Sequence, residues 1–112
     1  MGSEVEAGEQ VPVDEAYESR VLAVVAAVPR GRVMSYGDVA EYLGAGGPRQ
    51  VGQVMSRSHG ELPWWRVLHA DGSPPPGKET DCLRRLRAEN VPIRPDGTRV
   101  LMRLARWDGV RR

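Results

Sequence analysis

The feature that most constrains this chain is a pair of short helical patterns joined by a glycine-rich turn at residues 44–47. The first pattern spans residues 36–43, and Ser35 before it is a candidate N-cap because Asp38 follows at the spacing of a capping box. The second pattern opens at Pro48, which suits the first turn of a helix, and runs to about residue 58. Two short helices in this arrangement predict a helix-turn-helix, in which the second helix is the recognition helix.

The segments on either side of this pair also read as helices. Apolar residues recur at helical spacing over residues 21–28, and Pro29 ends that run. Later in the chain, Thr80 is a candidate cap for a helix over residues 81–90. The chain is therefore predicted to be mainly α.

The two ends of the chain differ from its centre. A Pro-Asp-Gly turn predicts a small C-terminal β-hairpin over residues 91–102. The first 16 residues carry five acids and no base, whereas the rest carries 16 bases against 10 acids, an excess of six positive charges that permits contact with DNA. We predict a disordered acidic tail at residues 1–13 and a winged helix-turn-helix domain at residues 14–112.

Composition excludes several classes of protein. Apolar runs of about 18 residues are absent, as is a basic segment followed by an apolar one, so we expect no membrane span and no secretory signal. The single cysteine, Cys82, cannot form an internal disulfide, and neither His59 nor His69 shares a ligand spacing with it, so we expect no metal and no cofactor. We expect a monomer in the cytoplasm, associated with the nucleoid if the source is bacterial.

Three segments in one order resemble the DNA-binding domain of the O6-alkylguanine-DNA alkyltransferases. They read VPRGRVMSYGDVA at residues 28–40, RQVGQVM at 49–55 and PWWRV at 63–67. The active form of that family carries Pro-Cys-His-Arg in the last segment, so Trp64 stands at the position of the nucleophilic cysteine and Trp65 at that of the histidine. An indole offers neither a thiolate nor a proton acceptor. The chain therefore resembles the alkyltransferase-like proteins, many of which keep the histidine.

This resemblance implies a protein without catalytic residues that binds duplex DNA containing alkylated guanine. Arg49 resembles the arginine that fills the space left by a flipped base, and Tyr36 resembles the tyrosine that rotates the nucleotide. Trp64 would line the pocket, and the backbone carbonyls of Trp64 and Val67 would accept from the exocyclic amine of guanine. Glu89 resembles the acid that orients the family's histidine and is expected to have nothing to orient here. Taken as residues alone, Arg49 also suits a surface or phosphate contact, Tyr36 a core position and Trp64 a hydrophobic plug.

Four further residues complete the predicted DNA-binding site. Gln50 and Gly52, on the outer face of the recognition helix, leave room for a close approach to the groove, which the resemblance identifies as the minor groove. Ser35 suits a phosphate contact as well as a helix cap. Arg66 suits an ion pair with an acid as well as a DNA contact.

Three hypotheses for the function follow. The first, which we favour, is a non-enzymatic sensor that binds and flips O6-alkylguanine in duplex DNA and flags it for nucleotide excision repair, with repair proteins as partners. The second is a winged-helix DNA-binding regulator without lesion specificity, which equal affinity for damaged and undamaged duplexes would support. The third is a residual alkyltransferase that uses Cys82, although the apolar helix face shared with Leu83 and Leu86 predicts a buried thiol.

Overall fold

The computed structural model describes residues 12–57 and 62–110, and most of its regular structure is helical. In chain order the elements are α1 (Glu15–Ala27), β1 (Met34–Ser35), α2 (Tyr36–Leu43), α3 (Pro48–Arg57), a 3₁₀ helix (Trp64–Arg66), β2 (Val67–Leu68), α4 (Glu79–Ala88) and α5 (Met102–Ala105). Residues 1–11 of the predicted tail and His59 lie outside the described residues. Within the described ranges, no helix has the length and apolar character needed to cross a membrane.

Helix α1 confirms the helical pattern predicted over residues 21–28. The Asp14 carboxylate caps it by accepting a hydrogen bond from the Tyr17 backbone N–H at 2.9 Å. Val21 and Val25, one turn apart, are fully buried, so α1 turns an apolar stripe toward the core. Pro29 lies just beyond the C-cap and cannot continue the helix because it lacks an N–H.

Helices α2 and α3 form the predicted helix-turn-helix. The capping box of α2 is complete, since the Ser35 hydroxyl accepts from the Asp38 N–H and the Asp38 carboxylate accepts from the Ser35 N–H, both at 2.9 Å. Gly44 ends α2 in the left-handed conformation, with a φ of 71°. Ala40 of α2 and Val51 of α3 are buried in the same cluster, so the two helices pack through their apolar sides.

A parallel sheet of two strands, which the sequence pattern does not predict, links the helix-turn-helix to the segment that follows it. The register aligns Met34 of β1 with Val67 of β2. Strands of two residues are too short to show an alternating pattern, which is why the sequence does not reveal them. Because the two strands run in the same direction, the residues that directly follow them, Tyr36 and His69, lie side by side.

Helix α4 differs from the predicted helix at both ends. It begins at Glu79, before the expected cap Thr80, and ends before residue 90. None of the described side chains caps it; the Lys78 carbonyl accepts the Cys82 N–H at 2.9 Å instead. The prediction of a Thr80 cap is wrong because the chain turns at Gly77, where φ is 83°, and enters the helix as soon as that turn is complete.

The C-terminal appendage, residues 92–110, contains less sheet than predicted. The hairpin is present only as an antiparallel bridge between Ile93 and Val100. Met102 begins helix α5 and does not end a strand, so that part of the prediction is wrong. Met102 and Ala105 are both buried, and their spacing of three residues favours one face of a helix over a strand.

Two clusters of buried side chains form the core. The first joins α1, α2 and α3, and the second lies between α4 and the C-terminal appendage and includes Leu68, Cys82 and Leu86. The appendage also contacts the segment before β1, where the Val33 N–H donates to the Ala105 carbonyl at 3.0 Å. Strand β1 and the helix-turn-helix that follows it are therefore held by elements from distant parts of the chain.

Candidate nucleic-acid interface

The 3₁₀ helix presents two tryptophan rings at the edge of the second core cluster. Trp64 and Trp65 are each partly buried against that cluster. Their rings meet edge to face, with centroids 5.9 Å apart and an interplanar angle of 89°. Packing thus fixes both rings, while part of Trp64 stays accessible at the surface.

A buried carboxylate, Glu89 at the end of α4, anchors this segment. It accepts hydrogen bonds from the Trp65 indole N–H at 2.9 Å, from the Arg66 guanidinium at 2.7 and 3.0 Å, and from the Gly31 backbone N–H at 3.1 Å. The expectation that Glu89 has nothing to orient is wrong, because the Trp65 indole donates to it. Of the two roles open to Arg66, the structure shows the ion pair with an acid, and Arg66 also donates to the Val28 carbonyl at 2.9 Å.

The same contacts determine the charge of Glu89. Burial alone would raise the pKa of its carboxyl group. Hydrogen bonds from Arg66, Trp65 and the Gly31 N–H, together with the positive charge of Arg66, outweigh burial and lower the pKa below its ordinary value. Glu89 is therefore ionised at neutral pH and balances the charge of Arg66.

Tyr36, the first residue of α2, lies opposite His69 at the ends of the two parallel strands. The ring centroids are 5.3 Å apart with an interplanar angle of 54°. Burial raises the pKa of the Tyr36 phenol, so its hydroxyl stays protonated at neutral pH and can donate a hydrogen bond. The ring packs on the first core cluster but remains partly exposed, so Tyr36 contributes to the core and is also available at the surface.

The one cysteine of the chain is buried beneath this surface. Cys82 is fully buried, and its thiol donates to the Trp65 carbonyl oxygen at 3.5 Å. Burial and the nearby Asp81 carboxylate raise its pKa to about 12, so the thiol is protonated and is not a nucleophile. The prediction of a buried core thiol is confirmed. Cys82 also contributes to the raised pKa of the Tyr36 phenol.

Besides Arg66, whose guanidinium is 5.4 Å from the centroid of Trp65, two cationic side chains lie over the tryptophan rings. The Lys78 ammonium is 5.3 Å from the centroid of Trp64, and the Arg85 guanidinium is 5.7 Å from the centroid of Trp64 and 4.7 Å from that of Trp65. Asp81 holds Arg85 in place at 3.1 Å. Sequence reasoning missed Arg85, although its spacing of four residues from Asp81 was a signal for that ion pair. Both cations add positive charge beside the accessible part of Trp64.

The recognition helix α3 turns two of its predicted binding residues outward and one inward. Arg49 is exposed in the first turn and forms no ion pair with any residue of the described ranges. Gly52 lies at the surface, where an added Cβ would meet no atom within 4 Å. Gln50, by contrast, is buried, and its side-chain oxygen accepts from the Gly47 N–H at 3.0 Å. Gln50 therefore closes the turn before α3 and is absent from the outer face where it was predicted.

The last two predicted site residues are also buried. Ser35 is 3% exposed and its hydroxyl is engaged in the cap of α2, so of its two predicted roles the structure shows the cap. Val67 is fully buried, which leaves only its backbone to face a ligand. The Val67 N–H donates to the Trp64 carbonyl, whose oxygen retains a second lone pair for another donor.

These features define a class of protein: a helix-turn-helix domain for nucleic acid, in which two parallel strands bring Tyr36, at the start of α2, beside His69, and in which the second strand directly follows the tryptophan-bearing 3₁₀ helix. The chain belongs to the family described as 6-O-methylguanine DNA methyltransferase, DNA binding domain, which matches residues 16–91. The resemblance found in the sequence is thereby confirmed. The C-terminal appendage lies outside the matched range.

Two curated relatives carry names that bear on the site. The DNA base-flipping protein of Escherichia coli is 40% identical over 68 residues, which cover 58% of this chain and 53% of that protein. Alkyltransferase-like protein 1 of Schizosaccharomyces pombe is 41% identical over 64 residues, which cover 54% of this chain and 58% of that protein. The chain thus spans about half the length of these two curated relatives.

Solved structures show the same fold. S. pombe Atl1 in complex with damaged DNA containing O6-carboxymethylguanine aligns with a TM-score of 0.75 at 28% identity, covering 85% of this chain and 97% of that chain. Mycobacterium tuberculosis OGT in complex with DNA aligns with a TM-score of 0.61 at 26% identity, covering 69% and 50%. The alignment with Atl1 extends over more of this chain than the family match does, so the two proteins share the mainly helical architecture described above.

Proposed function

We propose that this protein is a non-enzymatic sensor that binds O6-alkylguanine in duplex DNA, rotates it out of the base stack and flags it for nucleotide excision repair. The observation that carries the proposal is the Trp64–Trp65 pair at the cysteine and histidine positions of the active enzymes that the sequence resembles. Beneath this pair, the Cys82 thiol has a pKa raised to about 12. Relatives support the proposal, since one is named a DNA base-flipping protein and another is solved with O6-carboxymethylguanine in its DNA.

The recognition helix supplies the groups that stabilise a rotated base. Rotation out of the stack costs a few kcal/mol, and less for a poorly paired base such as alkylguanine. Arg49 enters the vacated space and offsets part of this cost, because it is exposed and its charge is not taken up by an ion pair within the described ranges. Gly52, three residues later and on the same face, lets the helix backbone approach the groove closely.

The rotated guanine lies against Tyr36 and Trp64. The Tyr36 hydroxyl, protonated at neutral pH, donates a hydrogen bond to the nucleotide. The accessible part of the Trp64 ring offers an aromatic contact of about 1–3 kcal/mol per base. The backbone carbonyls of Trp64 and Val67 accept from the exocyclic amine, which adenine lacks, so these contacts favour guanine.

The pocket has no group that removes the alkyl substituent. Alkyl transfer to protein requires a thiolate with a nearby base. The Trp65 indole N–H only donates and is already bonded to Glu89, and the Cys82 thiol is buried and protonated. A protein that binds a lesion without removing it needs an enzyme to complete the repair. For this reason the proposed function includes nucleotide excision repair. We also propose that it acts as a monomer in the cytoplasm, at the nucleoid if the source is bacterial.

A titration with two duplexes tests the sensor function. The duplexes are identical except for one O6-methylguanine in place of guanine, and the salt concentration is fixed. Wild type should bind the lesion duplex at least about tenfold more tightly, equivalent to about 1.4 kcal/mol, and Arg49→Ala should lose most of that preference. Arg84→Ala removes an equal charge from an exposed position on α4 and should keep the preference.

The mass of the protein after incubation with the lesion duplex tests for alkyl transfer. An unchanged mass together with a clear lesion preference supports a sensor. Equal affinity for the two duplexes refutes the proposal and leaves a regulator of undamaged DNA, whereas an added methyl group refutes its non-enzymatic part. In cells, the protein should raise survival after alkylation only where nucleotide excision repair is intact.

A further inference from the structure

A basic cleft lies between the turn that follows β2 and the C-terminal appendage. Its volume is about 220 Å³, and it is lined by residues 70–71 on one side and by Arg94 and residues 99–103 on the other. This feature is called the arginine cleft below. The family match ends at residue 91, and most of the lining belongs to the appendage, outside the matched range.

Backbone contacts hold the two walls of the arginine cleft together. The Val100 N–H donates to the Gly72 carbonyl at 2.9 Å, and the His69 N–H closes the turn by donating to the Ser73 carbonyl at 3.0 Å. Gly72 has a φ of 89°, and a Cβ at this position would collide with the Val100 carbonyl oxygen. Since these are main-chain contacts, the spacing of the walls does not depend on flexible side chains.

The cleft carries an excess of positive charge. Its lining contains Arg94, Arg99 and Arg103 but one carboxylate, Asp71, which pairs with Arg99 at 3.3 Å. Asp96, beyond the lining, is 4.0 Å from Arg94. Arg103 is exposed and forms no ion pair with any residue in the part of the chain that the structure describes. At least one guanidinium is thus available for an anion, and its geometry matches phosphate oxygens well.

The arginine cleft is close to the proposed lesion pocket. Its wall at residues 70–71 directly follows His69, whose ring centroid is 5.3 Å from that of Tyr36. Two residues of chain span at most about 7 Å, and successive nucleotides of one strand rise by about 3.4 Å. The cleft therefore lies within a few nucleotides of the base that Tyr36 would contact.

We infer that the arginine cleft binds a backbone phosphate of the strand that carries the flipped guanine, within about four nucleotides of it. The inference rests on the proposed function, because Tyr36 marks the position of the lesion. The volume admits a phosphodiester group but is smaller than the roughly 300–1,000 Å³ of pockets for larger organic ligands. A phosphate contact fixes a protein on the duplex without reading sequence, so the cleft aligns the damaged strand with Tyr36 and Trp64.

The salt dependence of DNA binding tests this inference. Each neutralised phosphate contributes about 0.9 to the slope of log K against log salt concentration, so Arg103→Ala should lower the slope by about that amount. Between about 50 and 200 mM salt, wild type should then lose about 3.5-fold more affinity than the variant. Arg103→Lys keeps the charge and should keep the slope. Arg84→Ala, outside the cleft, controls for the loss of a surface arginine.

Running these titrations with damaged and undamaged duplexes separates two kinds of failure. An unchanged slope in Arg103→Ala overturns the inference even if wild type prefers the lesion. An acidic protein segment would then be the alternative ligand of the cleft. Absence of lesion preference in wild type overturns the proposed function, while a lowered slope in Arg103→Ala would still support the phosphate contact. Circular dichroism verifies that the variants fold, which the exposure of Arg103 leads us to expect.

Discussion

Replacing Glu89 with glutamine tests how the tryptophan segment is held in place. The substitution keeps the shape of the side chain but removes the negative charge that accepts from Trp65, Arg66 and the Gly31 N–H. The new amide group keeps one oxygen that accepts hydrogen bonds, but its NH₂ group donates. That NH₂ group therefore lies against other donors. The variant therefore leaves unsatisfied donors beside a guanidinium that has lost its ionic partner.

The free energy of unfolding should fall by about 3 kcal/mol in Glu89→Gln. Removing one partner of a buried ion pair costs about 3–5 kcal/mol. The lower end applies because the Arg66 side chain is 15% exposed and keeps its hydrogen bond to the Val28 carbonyl. With a urea m-value of about 1.5 kcal/mol/M, the unfolding midpoint should drop by about 2 M.

Urea unfolding at pH 7, followed by tryptophan fluorescence, measures this loss. The control is Glu41→Gln on the exposed side of α2, which should change stability by less than about 0.5 kcal/mol. Because folding lowers the pKa of Glu89, its stabilising effect is present above the unfolded pKa of about 4.3 and is lost as pH falls through the folded-state pKa. The difference between wild type and Glu89→Gln should therefore be largest near neutral pH and shrink in acid.

Two results would refute this reasoning. A loss of unfolding free energy below about 1 kcal/mol at pH 7 would mean that the Glu89–Arg66 pair stabilises the protein no more than an exposed ion pair does. A difference that stays constant into acid would show that the charge of Glu89 is not what the variant removes. The first outcome would mean that apolar packing holds the tryptophan segment, and the second that the hydrogen bonds of Glu89 matter more than its charge.

Three further substitutions and one labelling experiment test separate parts of the structure. Gly52→Ala should raise the free energy of unfolding by about 0.5–1 kcal/mol, because alanine favours a helix over glycine, yet weaken DNA binding in the duplex titration; tighter binding would contradict the close approach of α3. Gly72→Ala should destabilise the protein by about 2–3 kcal/mol, since its φ of 89° and the Val100 carbonyl leave no room for a Cβ, and an unchanged thermal midpoint would show that the turn relaxes. Ser35→Ala should cost about 1 kcal/mol in urea unfolding through loss of a cap hydrogen bond; no loss would mean that the Asp38 half of the box suffices. The Cys82 thiol, with its pKa of about 12, should resist a thiol reagent at neutral pH until the protein unfolds, and rapid labelling of the native protein would contradict its burial.

Much of the helical framework could be predicted because its signals are local. Ser35 and Asp38 form the expected capping box, Gly44 ends α2, and Pro48 opens α3, since caps and breakers act within a single turn of helix. Thr80 marks the limit of such signals. A side chain that is able to cap does not do so when the backbone before it already starts the helix.

The site could be predicted in its residues but only partly in its geometry. The motifs identified Tyr36, Arg49 and Trp64, all of which have surface exposure. The contact between Trp65 and Glu89 joins residues far apart in sequence, which no periodic pattern reveals. Gln50 was predicted to face outward because it is polar, but it lies inside because the Gly47 N–H needs an acceptor.

Strand β1 is completed by partners from late in the chain. Met34 pairs with Val67, Val33 forms a bridge with Arg106, and the Trp107 N–H donates to the Val33 carbonyl at 2.8 Å. Contacts so distant in sequence form slowly, because a long loop must close first. During synthesis on the ribosome, the caps and helix-breaking residues of helices α1 to α3 emerge early. The surroundings of Tyr36, in contrast, reach their final form only after Trp107 has emerged.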